Sequence, residues 1–427
     1  MSSYKHAMSV YFQNCESDYD DYYGTTFTSF ASDFCYPWFR NDYGDYSYIM
    51  CFLMGLGVYP IKQSELKIRW IVYFSMIYSL IIWFIHAYFF FYILNFFTLK
   101  VIYPTFINMI VIAINIFSLF ISIIMNFYYQ KRFEVCLIKF AAIDDTLEEL
   151  GTPKIYRKMH MLSKRVIIVW IVHSLVINFF DMLYWLNRKE TAFWGLFLSH
   201  ILNYCLHINT FLDLLFIFFL WYIGTRFEKV NEYVRCLLVE EKHELRCTWK
   251  KSIIAIRQNT LCIDNCKQIL WTTMQLHLEL CRLTREINHI FGTQMTLEMA
   301  SYLLFLTVLC YYLYIILMQE QKEIQVYSWL CLSLWVFLFS VKLCAVNYIC
   351  ENVTIKANEI DKTIHQLTNS IRYANVWKEI SQFTLQIMLH SLKFNGMGLF
   401  YFGNDFLRKE IHAIAFGGST QKRIIDA

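Results

Sequence analysis

Six long apolar runs constrain this chain more than any other feature. They lie near Trp70–Phe97, Val101–Phe127, Val166–Leu186, Phe193–Ile223, Ala300–Leu317 and Tyr327–Ile349. A helix needs about 20 apolar residues to cross the hydrocarbon core of a bilayer. Five runs meet that length comfortably and the fifth in order only just. A chain inside lipid must satisfy its own backbone hydrogen bonds, so each run is read as a helix. The sequence is 57% apolar and only 17% charged, against about 45–50% and 25% for soluble domains. The expected class is an all-α integral membrane protein with six clear transmembrane helices. The opening MSSYKHAMSV has no apolar core long enough for a cleavable signal, so the first span is expected to act as the insertion signal. There is no phosphate-cradling glycine loop and no dinucleotide pattern, and the net charge of +4 gives no reason to expect nucleic acid.

Charge in the loops sets an orientation. The short connections Thr98–Lys100, Asn187–Ala192 and Met318–Val326 hold four Lys or Arg, whereas the other segments outside the spans hold 33. The pairs nearest the span ends show the same bias: Lys67 and Arg69, Lys131 and Arg132, Lys164 and Arg165, Arg226 and Lys229. By the positive-inside rule the N-terminus and both long loops face the cytoplasm of a multi-pass membrane protein. That orientation is opposite to a heptahelical G-protein-coupled receptor, whose signatures are also missing.

Residues 1–48 are Tyr-, Asp- and Ser-rich and read as a disordered cytoplasmic tail, with a Tyr-based docking segment as the alternative. Residues 49–223 carry spans one to four with a cytoplasmic loop at 128–165. Residues 224–294 form a charged, periodic, proline-free loop, read as a helical anchor that requires partners. Residues 295–349 carry spans five and six. Within Gln275–Leu317, Leu276, Leu280, Leu283, Ile287 and Ile290 repeat in steps of four and three, which draws one apolar seam along a helix. That helix is expected to continue through Gly292 into span five, since one interior glycine weakens a helix without ending it. The seam is a candidate contact between subunits.

Of the 14 cysteines, none lies in the short outer connections, so no extracellular disulfide is expected. Cys262, Cys266 and His277 lack zinc-ribbon spacing, and neither a metal site nor any cofactor is expected. The sequon at Asn352 faces the cytoplasm and should stay unused.

Ionisable and amide groups inside a membrane are costly and point to function. Sorted by depth, His86, Asn108, Asn178, Asp181, His200, Asn203, His207, Tyr311, Tyr312, Trp329 and Trp335 fall in the outer half. They are candidate ligand-binding residues, since a concave aromatic site with a few placed polar groups holds a small polar molecule. Two plainer readings compete. Tyr and Trp form interfacial belts in any membrane protein. The His200/Asn203/His207 stripe, which shares one helical face, could instead bond neighbouring helices. Asp213 and Lys342 lie deeper and are a conceivable pair. No nucleophile stands beside a base, and no enzyme activity is expected. An intramembrane acyltransferase is the distant alternative because it would use a His and an Asn.

Three blocks resemble a known family. HLELCRLTREINHIFGTQMTLEMASYLLFLTVLCYYLY resembles the junction before span five of insect gustatory receptors, through His277, Leu280, Asn288, Phe291, Gly292 and Gln294. ANEIDKTIHQL at Ala357–Leu367 resembles the segment after span six. Ser381–Leu407 resembles the helix leading to the pore, through Phe383, Gln386, His390, Phe394, Gly398, Leu399 and Phe400. The resemblance implies the fold of insect odorant receptors and a tastant-gated non-selective cation channel for taste perception. It implies a homo- or hetero-tetramer of receptor subunits in membrane lipid, with helices extended into a cytoplasmic anchor domain. Residues 350–407 would then be anchor and the start of a pore helix, with Phe383, Leu399 and Phe400 joining the seam as anchor residues. The family continues into a seventh span. Here residues 408–427 read LRKEIHAIAFGGSTQKRIIDA from Leu407 onward, an atypical basic tail in which Ile411–Phe416 is too short to cross. On this reading the seventh span is incomplete, through truncation, splicing or a gene-model error. The alternative function is then a non-conducting subunit that regulates full-length receptors.

Overall fold

The computed structural model describes residues 77–78, 80–89, 91–92, 106–152, 156–186, 195–248, 255–318, 326–368, 377–389 and 391–409. Its elements are α1 (Leu80–Phe89), α2 (Phe106–Glu149), α3 (Tyr156–Leu186), α4 (Gly195–Thr248), α5 (Ala255–Met318), α6 (Val326–Thr368) and α7 (Trp377–Leu389). A small hairpin follows, β1 (Asn395–Gly396) and β2 (Phe400–Tyr401), then one short helix, α8, at 404–409. The expectations for residues 1–48, for the three short connections and for the tail from 410 lie outside the described residues.

The sequence explains why the helices run so long. No proline follows Pro153, and proline is the residue that ends a helix outright. Pro104 and Pro153 bracket α2, which stops one residue before a left-handed turn. Gly151 has φ +95°; its N–H reaches the Glu148 carbonyl at 2.8 Å and the Thr152 N–H reaches Leu147 at 2.9 Å. This paired return is the Schellman cap that a glycine allows.

Among the described residues, four helices are long and apolar enough to cross a membrane: Lys164–Leu183, Ser199–Cys236, Gln268–Tyr311 and Trp329–Gln366. Three of these windows exceed what a bilayer requires. At 1.5 Å per residue, α5 with 64 residues runs about 96 Å, some three times the hydrocarbon thickness. The Gln275–Leu317 stretch is thus one unbroken helix through Gly292, as its periodicity implies. A Cβ at Gly292 would sit 3.5 Å from the Asn395 carbonyl, so the bare backbone is where the hairpin rests against α5.

The surface pattern is that of a membrane protein. On α3 the outward residues are apolar, including Ile168, Val169, Val172, Leu175 and Phe179, each more than half exposed. Its buried positions include Asn178 and Asp181. A soluble helix shows the opposite arrangement. The main core joins residues of α2, α4, α5, α6, α7 and the hairpin. Leu276, Leu280, Leu283, Ile287 and Ile290 lie inside it, none more than 7% exposed. The seam therefore packs within its own chain, against α2, α4 and α6, and is not a face open to a second subunit. Phe383 is buried in the same core, Phe400 is half-buried, and Leu399 stands 77% exposed at the hairpin tip.

The segment read as the start of a pore helix differs too. Helix α7 ends at Leu389, and the chain then turns back as an antiparallel pair with Asn395 opposite Tyr401 and Gly396 opposite Phe400. Met397 and Gly398 occupy the left-handed region at φ 51° and 76°, which a helix cannot contain. At Gly396 a Cβ would come within 2.7 Å of Phe400 and 2.8 Å of the Thr296 hydroxyl, so the hairpin seats on α5 only through a glycine.

Candidate ligand site and the family of the chain

Helices α3 and α4 are antiparallel neighbours, so the late residues of α3 meet the early residues of α4. Asn178 and Asp181 lie three apart on α3 and face Asn203 and His207, four apart on α4, as helical neighbours on one side do. The Asn178 amide nitrogen donates to His200 Nδ1 at 2.9 Å. The Asn178 carbonyl oxygen accepts from the Asn203 amide at 3.2 Å and from His207 Nε2 at 3.1 Å. Asn203 also donates to Asp181 Oδ2 at 2.6 Å. Helix α6 closes the group: the Cys331 thiol and the Trp335 indole N–H each donate to Asp181 Oδ1 at 3.0 Å. These partners fix both imidazoles. His200 accepts at Nδ1 and so carries its proton on Nε2, and His207 donates from Nε2, which leaves its Nδ1 as an acceptor.

The sequence-predicted residues divide accordingly. Asn178, Asp181, His200, Asn203, His207 and Trp335 form one hydrogen-bonded group. His86 sits beside it in an aromatic cluster, 3.5 Å from the Cys205 sulfur, with its ring 4.8 Å from Tyr204 and 5.8 Å from Trp83. Tyr311 is 45% exposed and Trp329 half-buried, as a membrane-interface belt would place them. Asn108 lies in α2 and Tyr312 in α5, with side chains outside the described set. Cys331 was not read from the sequence. Its one signal is position, four residues before Trp335 and so on the same face of α6.

The group is nearly closed. Asn178, Asp181, Asn203 and His207 are each less than 10% exposed, while His200 is exposed. Asp181 receives neutral donors from Asn203, Cys331 and Trp335, which leaves its negative charge solvated but not cancelled. An open cavity of about 340 Å³ lies elsewhere, in the extended parts of α5, α6 and α7, lined by Gln275, His277, Arg282, Arg285, Asn358 and Gln386 among others. It is far along the chain from the ionisable groups of the spans, and the polar network is the stronger site because its chemistry converges.

Two further polar layers follow along α4 toward its C-terminal end. Lys342 donates to Thr210 and lies 5.2 Å above the Tyr302 ring. The Tyr302 hydroxyl donates to Asp213. Asp213 and Lys342, read as a conceivable pair, thus both meet Tyr302. Neither Tyr302 nor Glu298 is among the sequence-predicted residues, although their four-residue spacing puts both on one face. Further along, Arg226 meets Asp144 at 2.8 Å with both side chains 2% exposed or less, and Tyr222 donates to the same carboxylate. Burial pushes the Asp144 carboxyl above its ordinary range, and Arg226 and then the Tyr222 hydrogen bond oppose that. Arg226, read as a loop-end charge, is in fact buried. His277 holds the Ala357 carbonyl with Nε2 at 2.8 Å, between the rings of Phe227 and Phe383.

A model of the 7tm chemosensory receptors matches residues 45–414. The chain belongs to the 7tm chemosensory receptor family. This is a family of membrane-spanning receptors rather than of enzymes. The receptor is 23% identical over 290 residues to the putative gustatory receptor 28b of Drosophila melanogaster, a match that covers 64% of this chain and 60% of that relative. The receptor thus spans less than two thirds of the length of that relative. Its fold resembles the insect olfactory receptor OR5 from Machilis hrabei, with a TM-score of 0.59 at 10% identity, over 90% of this chain and 100% of that one. The same olfactory receptor in complex with eugenol superposes at a TM-score of 0.49, with 12% identity and the same coverage.

Proposed function

We propose that this receptor is a gustatory receptor subunit of a tastant-gated, non-selective cation channel in the plasma membrane. Its N-terminus and long helical extensions lie in the cytoplasm, and six spans cross the bilayer. The observation that carries the ligand reading is the convergence of Asn178, Asp181, His200, Asn203, His207 and Trp335 on one point between three helices. A carboxylate held only by neutral donors favours a small polar organic ligand that brings hydrogen-bond donors of its own. His200, at the exposed edge, is where such a molecule first meets the network. Assembly into a homo- or hetero-tetramer would use surfaces that the single chain leaves open. The exposed Leu385, Met388 and Leu389 of α7 and Leu399 of the hairpin tip supply one such apolar face.

A second reading has an observation of its own. His207 Nδ1 aside, the buried members bond to one another, so the network also serves as a clamp that fixes α3, α4 and α6. Patch-clamp recording separates the two. Cells express this chain with a conducting member of the family while tastants are applied. A ligand site predicts that His200→Ala in this chain shifts the half-maximal tastant concentration at least tenfold with surface level unchanged. A clamp alone predicts an unchanged dose–response.

A further inference from the structure

The layer below the ligand network has a charge imbalance that the fold must resolve. Asp213 on α4 and Glu298 on α5 are 2% and 0% exposed. Lys342 of α6 is the cation beside them, its ammonium turned inward onto Thr210 and the Tyr302 ring. Were both carboxyls ionised, one negative charge would remain without a counter-charge in a place closed to water, an expensive arrangement. Hydrogen-bond geometry shows where the relief lies. The Tyr302 hydroxyl has one proton and gives it to Asp213 Oδ2. Glu298 Oε1 accepts from the Gln294 amide at 2.9 Å, and Oε2 faces the Tyr302 oxygen at 3.4 Å. Asp213 Oδ1 is buried without a hydrogen-bond donor among the described residues, and the Tyr302 oxygen lies between the two carboxyls.

We infer that Glu298 is a proton-binding site, holding one proton against the Tyr302 oxygen while Tyr302 gives its own proton to Asp213, so that Asp213 and Lys342 remain as a balanced ion pair around Tyr302. A metal cation is the poorer occupant because the Lys342 ammonium already supplies the positive charge. The other titratable groups that face the cluster are His173 of α3 and His207 of α4, both on the Lys342 side. Helix α2 contributes the neutral Asn115, which accepts from Ser301. From the hairpin side comes Asn347, whose carbonyl oxygen accepts the Gly403 N–H at 2.9 Å. The site therefore stands between the α3–α4–α6 network, which reaches His207 on the same helix as Asp213, and the hairpin, which α5 meets at Thr296 and Gly292.

The test is thermal melting of the full chain, purified in detergent, from pH 6 to 9. Glu298→Gln copies the protonated acid and should melt within about 2 °C of the parent at pH 7, with a flatter pH profile. Asp213→Asn strands the buried ammonium and should lower the melting temperature by about 5 °C or more, or prevent folding. Adding Lys342→Met to Asp213→Asn should recover most of that loss. A Glu298→Gln loss equal to that of Asp213→Asn, or no recovery in the double variant, overturns the assignment. So does a rise in the parent's melting temperature when sodium replaces choline that Glu298→Gln abolishes, because the occupant would then be a metal ion.

Discussion

Single residues in this receptor show how buried charge is arranged in three tiers. Asp181 is held by neutral donors, Asp213 and Glu298 share Tyr302 and Lys342, and Asp144 is paired with Arg226. The last is a fully buried salt bridge, whose partners depend on each other. Asp144→Ala should cost about 3–5 kcal/mol in stability, because it leaves the guanidinium buried without its partner. Asp144→Leu combined with Arg226→Met should return most of that, and chemical denaturation of the three proteins measures both. The α4 half of the polar network was legible in the sequence, since His200, Asn203 and His207 declare a common face by spacing alone. The α3 residues were legible by depth. Cys331 was not, because a thiol inside a span is most often plain packing. Arg226 was read as a loop-end charge because its partner is far away in sequence.

The elements divide along the same line. The helices follow from apolar runs and from the absence of proline after Pro153, and the seam on α5 was recognisable by its period. What it packs against was not, since a 3.6-residue period marks a buried face without naming its partner. The structure turns that seam inward onto the same chain. The hairpin was missed for a different reason. Its signal is Asn395-Gly396-Met397-Gly398 inside an otherwise apolar segment, and the turn matters because of contacts with α5 and α6 that no local pattern records. Those contacts make the three glycines unequal. Gly396→Ala meets Phe400 and Thr296, and Gly403→Ala, at φ 148°, would place a Cβ 2.4 Å from the Glu351 carboxylate. Gly396→Ala should cost about 1–3 kcal/mol through overpacking, and Gly403→Ala about 1–3 kcal/mol through its positive-φ backbone, since the Glu351 carboxylate can swing aside. Gly398→Ala has open space around it and should lose only about 1 kcal/mol from its left-handed backbone. Melting temperatures of the three variants give the order.

At the scale of the whole molecule, polar groups point inward and apolar groups outward along α3, and the helices outrun the bilayer. Four of the six spans read from the sequence are long apolar helices among the described residues, but the lipid-facing side of α3 needed the structure, because its few polar residues mark a buried face without naming what covers the rest. Spin labels at Val172→Cys and Met161→Cys in lipid vesicles test that division. Val172 should be reached by oxygen and not by a water-soluble relaxation agent, whereas Met161, near the start of α3, should show the reverse. Equal access by the aqueous agent at both sites would contradict a lipid-facing α3.

The most direct test of the central claim, that the α3–α4–α6 network is the receptor's ligand site, is tastant-induced thermal stabilisation of the purified chain. The parent and His200→Ala should melt alike without ligand. A bound tastant at about one hundred times its dissociation constant should add about 2.7 kcal/mol of stability to the parent and markedly less to the variant. Equal stabilisation of both proteins by the same tastant would contradict the claim.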